Sequence, residues 1–328
     1  MSDAVVRAYL DCLERVDAPA AVRLVAGLLD AGWSVADVLV DVVALGQREI
    51  GRRWLTGQWS VAEEHAATHV SELVVAAVAA RTSVPPKAGH AVVACVEGEW
   101  HALAARIVAE VVRAEGWRVT FLGASVPARH LVSYLHQSGP DAVLLSCVQP
   151  NRLIRAARMI EACRSAGMPV IAGGPGFGPD GRWATAVGAT AWGGSARDAA
   201  RLLVRHGHPG FGAGPVPPPG ADEYVAVLRR RREVVQLTVR TVDPPEDRAE
   251  EVANAVAHLV DALAAAIRVD DPQLLVDFVT WQDAALAGRG DKRPLLDTVL
   301  TSCATVLAEH PQARHYLRLT RAAVARSG

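Results

Sequence analysis

Lysine is almost missing from this chain: Lys87 and Lys292 are the only two among 34 basic residues. These face 35 acidic residues, for a formal net charge of -1, so no net charge calls for nucleic acid, a membrane surface or a polyanion as partner. The arginine bias accompanies heavy Ala, Val and Gly usage and fits a GC-rich genome better than a binding surface. The five cysteines, Cys12, Cys95, Cys147, Cys163 and Cys303, are scattered, odd in number and never in a CxxC arrangement. That excludes a disulfide framework and a cysteine zinc cluster, and the expected compartment is a reducing cytoplasm. No run reaches about 18 uncharged apolar residues, and Met1 to Tyr9 holds Asp3 and Arg7, so neither a membrane span nor a leader is expected. Aromatics make up only 5%, yet tryptophan, with eight copies, outnumbers the four tyrosines and the four phenylalanines. What is plentiful is apolar residue, 51% of 328 residues. That is enough for two or three domains of roughly 100 to 200 residues, each with its own core.

Residues 1–84 read as a four-helix bundle. Apolar residues recur at three and four spacing in Val5, Tyr9, Leu13 and Val16, in Val22, Val25 and Leu29, and in Val38, Val42 and Leu45. Breaks at Asp17-Ala18-Pro19, Gly32-Trp33-Ser34 and Thr56-Gly57-Gln58-Trp59 make the helices antiparallel neighbours. Ser60-Val61-Ala62-Glu63 is a capping box opening the fourth. After Pro85-Pro86 the period changes. Short apolar runs at 91–96, 118–122, 142–146 and 169–172, with a fifth at 189–192, alternate with helical stretches over residues 89–207. This predicts a flavodoxin-like (Rossmann-type) parallel sheet, whose ligands sit beyond the carboxyl ends of the strands. Residues 208–221 are a Pro/Gly-rich linker, and residues 222–328 form an all-α domain of five helices. Four consecutive arginines, Arg229 to Arg232, point around a whole helix circumference and read as a solvated interdomain or dimer-contact surface.

The loop after the first strand reads Glu97-Gly98-Glu99-Trp100-His101. A histidine at a strand's carboxyl end, two residues after a carboxylate, suits a metal: one ring nitrogen projects into the crevice while the carboxylate fixes the other. Forty-one residues separate Ala104 from Ser146, which opens Ser146-Cys147-Val148, and Gly173-Gly174 ends the fourth strand. Together these motifs resemble the base-off cobalamin-binding domain, whose pattern is Asp-x-His-x-x-Gly, about forty residues, Ser-x-Leu and a Gly-Gly pair. The resemblance implies that His101 is the lower axial ligand of cobalt and Glu99 its hydrogen-bonding partner. It further implies that Ser146 contacts the displaced nucleotide tail and that the backbone at Gly173 and Gly174 lies close to it. Glu99, Ala104 and Val148 depart from the family's Asp, Gly and Leu.

The bundle in front of the sheet sharpens the resemblance. Trp54, nine residues and then Glu64-His65 is similar to the cap of the cobalamin-dependent photoreceptors, where these residues surround an adenosyl group above the cobalt. In the light-sensing repressors of that family a histidine follows the tryptophan and captures cobalt after photolysis; here Leu55 stands there. Those repressors also carry a helix-turn-helix domain ahead of the cap, and no reading helix precedes it here, so direct DNA binding is not expected.

A cobalamin module, a proline-rich linker and a terminal helical domain resemble, in order and size, the photocobilins, whose last domain is globin-like and holds a bilin. This implies biliverdin as a second cofactor. Residues of suitable chemistry are His258, Trp281, Arg289, Arg293, His310, Arg314, His315 and Tyr316. Cys303 shares an apolar stripe with Leu296, Val299, Leu300, Val306 and Leu307, so packing outweighs covalent attachment there. The resulting expectation is a non-enzymatic light sensor holding adenosylcobalamin, with a signalling partner protein or homodimer contact as its output and no membrane. Two alternatives stand beside it: a corrinoid protein for methyl transfer, and a cobalamin-binding module whose tail serves dimerisation or partner docking.

Overall fold

A computed structural model describes residues 2–82, 84–206, 222–288 and 294–327. The cap begins with α1 (Ser2–Glu14) and α2 (Ala18–Asp30). The third helix is compound: α3 (Val35–Val38), a π-helical segment (Leu39–Val43) and α4 (Ala44–Leu55) run on from one another. α5 (Val61–Arg81) completes the bundle. Its capping box forms as the sequence indicates: the Glu63 amide donates to Ser60 Oγ (3.2 Å) and the Ser60 amide donates to Glu63 Oε2 (2.7 Å). Tyr9, fully buried, pins the bundle by donating to Ser71 Oγ at 2.9 Å. Ser71 in turn donates to Gln47 Oε1 at 3.0 Å.

The sheet has five parallel strands: β1 (Gly89–Cys95), β2 (Trp117–Gly123), β3 (Ala142–Ser146), β4 (Val170–Gly173) and β5 (Ala191–Gly193). Their order is β2-β1-β3-β4-β5, the flavodoxin-like winding. Helices α6 (Ala102–Ala114), α7 (Ala128–Ser138), α8 (Leu153–Ser165), the short α9 (Arg182–Ala186) and α10 (Ala196–His206) connect and cover them. β1 is buried along nearly its whole length, and its side chains alternate between two cores. Ala91, Val93 and Cys95 face a core shared with the cap, α6 and α10. Val92 and Ala94 face a second core that runs through α8 into the C-terminal helices. The sheet is therefore sandwiched between two helical bodies.

Those C-terminal helices are α11 (Glu223–Val242), α12 (Ala249–Val269), α13 (Gln273–Gly288), α14 (Pro294–Val306) and α15 (Pro311–Ser327). α12 belongs to a stretch, Glu246–Val269, long and apolar enough to cross a membrane, but 72% of that apolar window is buried within the fold. It is the central helix of its domain. In the arginine run, Arg231 pairs with Asp261 at 2.9 Å and Arg230 with Glu233 at 2.6 Å, while Arg229 and Arg232 are exposed.

Candidate functional site

β1 ends at Cys95 and the chain turns through Gly98, at φ +80°, before α6 begins at Ala102. In that turn Glu99 is 1% exposed, an expensive place for a carboxylate unless its oxygens are saturated. They are. Glu99 Oε1 accepts from His101 Nδ1 (2.5 Å) and from the His101 amide (3.0 Å). Oε2 accepts from the amides of Val148 (2.8 Å) and Gln149 (3.1 Å), in the loop that follows β3. Burial pushes the Glu99 carboxyl up, but the hydrogen bonds from His101 and Val148 outweigh it and bring the pKa down to about 2. The same hydrogen bond raises His101 against the effect of burial, with further help from the negative charge of Glu64 in the first turn of α5. The His101 side chain is 58% exposed.

This arrangement fits one axial bond to a metal. Nδ1 is committed to a carboxylate, which leaves Nε2 as the free donor and fixes the ring's direction. Among the described residues no group of three or more His, Cys, Asp or Glu side chains converges to hold an ion. A single anchored imidazole suits a metal already held by a macrocycle better than a bare cation, which needs several protein donors. Ser146 closes β3, paired with Cys95 and Gly173 on its two sides. Gly174 adopts φ +100°, and any Cβ there would overlap the Cys147 carbonyl oxygen. Ser146, Gly173 and Gly174 thus share the strand ends with the Glu99-His101 turn. Trp100, beside the histidine, is 73% exposed.

Of the cap residues, Glu64 lies close enough to act on His101. Glu64 Oε1 accepts from Thr68 Oγ1 (2.8 Å), and Glu64 Oε2 lies 2.7 Å from His65 Nδ1. Trp54, at the end of α4, meets Trp281 of α13 with ring centroids 6.1 Å apart. The cap is tied to the sheet domain by Arg197 of α10, which donates to Asp37 (2.7 Å) and Asp41 (2.8 and 2.6 Å). A single sequence held no signal for these pairs, since their partners are 156 and 160 residues apart.

Among the described residues the bilin candidates lie at separate places. Trp281 faces the cap. His258 stands 3.3 Å (Nε2) from Arg152 Nη2 of the β3–α8 loop, and burial with nearby Arg152, Arg231 and Arg155 pushes its pKa down to about 4. Tyr316 is buried near the other end of α12, donating to Asp270 Oδ1 at 2.9 Å. His258 lies within α12 and Asp270 caps its C-terminal end twelve residues on, about 18 Å along the axis. Arg314 reaches the Ala308 carbonyl (3.3 Å) and His315 is exposed beside Tyr316. Arg289 and Arg293 lie outside the described residues. The separation arises because α12 is the domain's core and its two ends meet different neighbours. Cys303 is fully buried, which pushes its thiol up to about 12 and makes it unreactive.

Cap, sheet order and the anchored histidine define a corrinoid-type site, and comparison with known proteins agrees. The family described as B12 binding domain matches residues 89–204, and a second family of the same description matches residues 5–79. This chain is a cobalamin-binding protein. It is 24% identical over 196 residues to the Trimethylamine corrinoid protein 1 of Methanosarcina mazei, covering 57% of this chain and 90% of that one. It is 34% identical over 133 residues to the HTH-type transcriptional repressor CarA of Myxococcus xanthus, covering 39% of this chain and 44% of the repressor. The monomethylamine corrinoid protein of Methanosarcina barkeri shares the fold, with a TM-score of 0.55 at 17% identity over 62% of this chain and 99% of that one.

Proposed function

We propose that this protein is a cytoplasmic light sensor that binds adenosylcobalamin base-off, with His101 as the lower axial ligand and Glu99 orienting it. The observation that carries the reading is the buried Glu99 carboxylate fixing His101 by Nδ1, with Glu64 of the cap close enough to act on that imidazole. In the proposed site Trp54 would supply an aromatic wall and Glu64 and His65 a carboxylate-imidazole pair above it. Such a lining suits a flat, polar adenosyl group and is poorly matched to a methyl group. Bound there, adenosylcobalamin supplies a cobalt-carbon bond that light can break. The residues do the rest. Glu99 keeps Nε2 of His101 directed into the crevice, and the cap shields the upper face through α4 and α5. Trp54, Glu64 and His65 would hold the adenosyl group, and without it the cap would be left to the Arg197 tether to Asp37 and Asp41. Leu55 would supply no donor to the upper face, which would leave that role to water, His65 or His69.

The C-terminal domain is the proposed output, docking a signalling partner or a second copy, with biliverdin bound noncovalently as a second chromophore. Burial of Cys303 supports noncovalent rather than thioether attachment. A second reading, a corrinoid carrier for methyl transfer, is favoured by the long match to the trimethylamine corrinoid protein. Purification in the dark with adenosylcobalamin and biliverdin, followed by spectra before and after blue-green light, separates them. The sensor reading predicts photoconversion and a red-absorbing bilin band. Uptake of methylcobalamin in the dark without uptake of adenosylcobalamin would leave the carrier reading standing; cobalamin bands alone would remove the bilin.

A further inference from the structure

The C-terminal domain touches both the sheet domain and the cap. On the sheet side, His258 of α12 meets Arg152, and Trp183 Nε1 donates to Asp271 Oδ2 at 2.8 Å. Asn151, in the same loop as Arg152, is 3% exposed in this seam. On the cap side, α13 ends against the α4–α5 turn so closely that a Cβ at either Gly57 or Gly288 would overlap the other segment's backbone. Within this seam Trp281 stands out. It is supported from behind by Phe278 at 6.0 Å, makes a tilted 30° contact with Trp54, and still leaves 39% of its surface uncovered.

We propose that Trp281 is an upper-ligand residue: the C-terminal domain completes the chamber that Trp54 begins and recognises the purine of an adenosyl group by stacking. This rests on the adenosylcobalamin reading above. The two indoles, 6.1 Å apart and inclined by 30°, form a tilted stack that offers a broad aromatic surface, and a purine has the π-face that such a surface binds. Hydroxocobalamin has no such face on its upper side. The site then spans all three domains, and removing the adenosyl group also removes a contact that holds the C-terminal domain to the cap.

The test uses the full chain and its Trp281→Ala and Trp281→Phe variants, titrated in the dark with adenosylcobalamin and with hydroxocobalamin. Trp281→Ala weakens adenosylcobalamin binding by about tenfold, the order of one lost base-aromatic stack. It leaves hydroxocobalamin within about twofold, and Trp281→Phe recovers most of the loss because a flat ring is restored. Equal loss for both cobalamins, or loss for neither, overturns the proposal. If the unmodified chain does not take adenosylcobalamin at all, the reading of the site itself fails, and that outcome is seen before any variant is made. In the ligand-free protein Trp281→Ala also raises amide exchange at residues 54–57. Unchanged exchange there would show that the ring contact does not join the domains, and would likewise overturn the proposal.

Discussion

Replacing Glu99 with Gln removes one proton-sized charge and keeps the volume, yet it strikes four hydrogen bonds. An amide offers one oxygen and one NH2 where the carboxylate offered two oxygens. Either His101 or the Val148 and Gln149 amides must then face a donor. Stranding two buried donors costs roughly 2–6 kcal/mol at about 1–3 each. Linkage gives an independent figure. The folded pKa of about 2 lies roughly two units below the ordinary glutamate value near 4.3, which corresponds to about 3 kcal/mol. The sign follows from the depressed value: this stabilisation is complete above about pH 4.3 and is lost as pH falls towards 2. His101 runs the other way. Its raised pKa adds stability below its ordinary value near 6.5, lost as pH rises through the folded value. Urea unfolding of the ligand-free protein should therefore show Glu99→Gln about 3 kcal/mol less stable between pH 5 and 6, with the gap narrowing in acid. A difference below about 1 kcal/mol, or one that does not change with pH, would refute the view that Glu99 is held ionised by this ring of donors.

Arg197→Ala releases the ion pairs with Asp37 and Asp41, and because these side chains are a third to a half exposed it should cost only ~0.5–1 kcal/mol. Amide exchange in α3 and α10 should rise and the effect should fade in high salt; salt-independence would contradict an electrostatic tether. Tyr9→Phe leaves the Ser71 hydroxyl without its donor and should lower stability by about 1 kcal/mol in thermal unfolding, with a neutral result counting against the buried link. Gly57→Ala meets both a left-handed φ of +70° and the Gly288 carbonyl, so it should undock α13 from the cap. Exchange protection retained in α13 would show that the close approach is dispensable.

Much of this fold is written in local pattern. The switch from three-and-four spacing to short apolar runs after Pro85-Pro86 separates cap from sheet, and the Glu99-x-His101 turn and Gly173-Gly174 mark where the strands end. The π-helical segment at Leu39–Val43 was not legible, because one extra residue per turn shifts the buried face without breaking the apolar pattern. The roles of Val148 and Gln149 escaped for a different reason: they hold Glu99 through backbone amides, which side-chain identity does not encode. Trp281 and His258 were recognisable as residues of suitable chemistry for a bilin, but not their neighbours in the fold. Which neighbour each meets depends on how α12 and α13 dock onto the β3–α8 loop and the cap. That docking couples residues more than a hundred positions apart, such as Arg152 and His258, and leaves no local trace.

The claim on which all else depends is that His101 is the protein's ligand to cobalt. Electron paramagnetic resonance of the cob(II)alamin-loaded protein reads it directly, because the axial nitrogen splits each cobalt line. With ordinary histidine the account predicts a three-line splitting, which becomes two-line when the protein is grown on nitrogen-15 histidine and disappears as a protein-derived signal in His101→Ala. Splitting that ignores histidine labelling in the unmodified protein, or a label-dependent splitting that survives in His101→Ala, would contradict it.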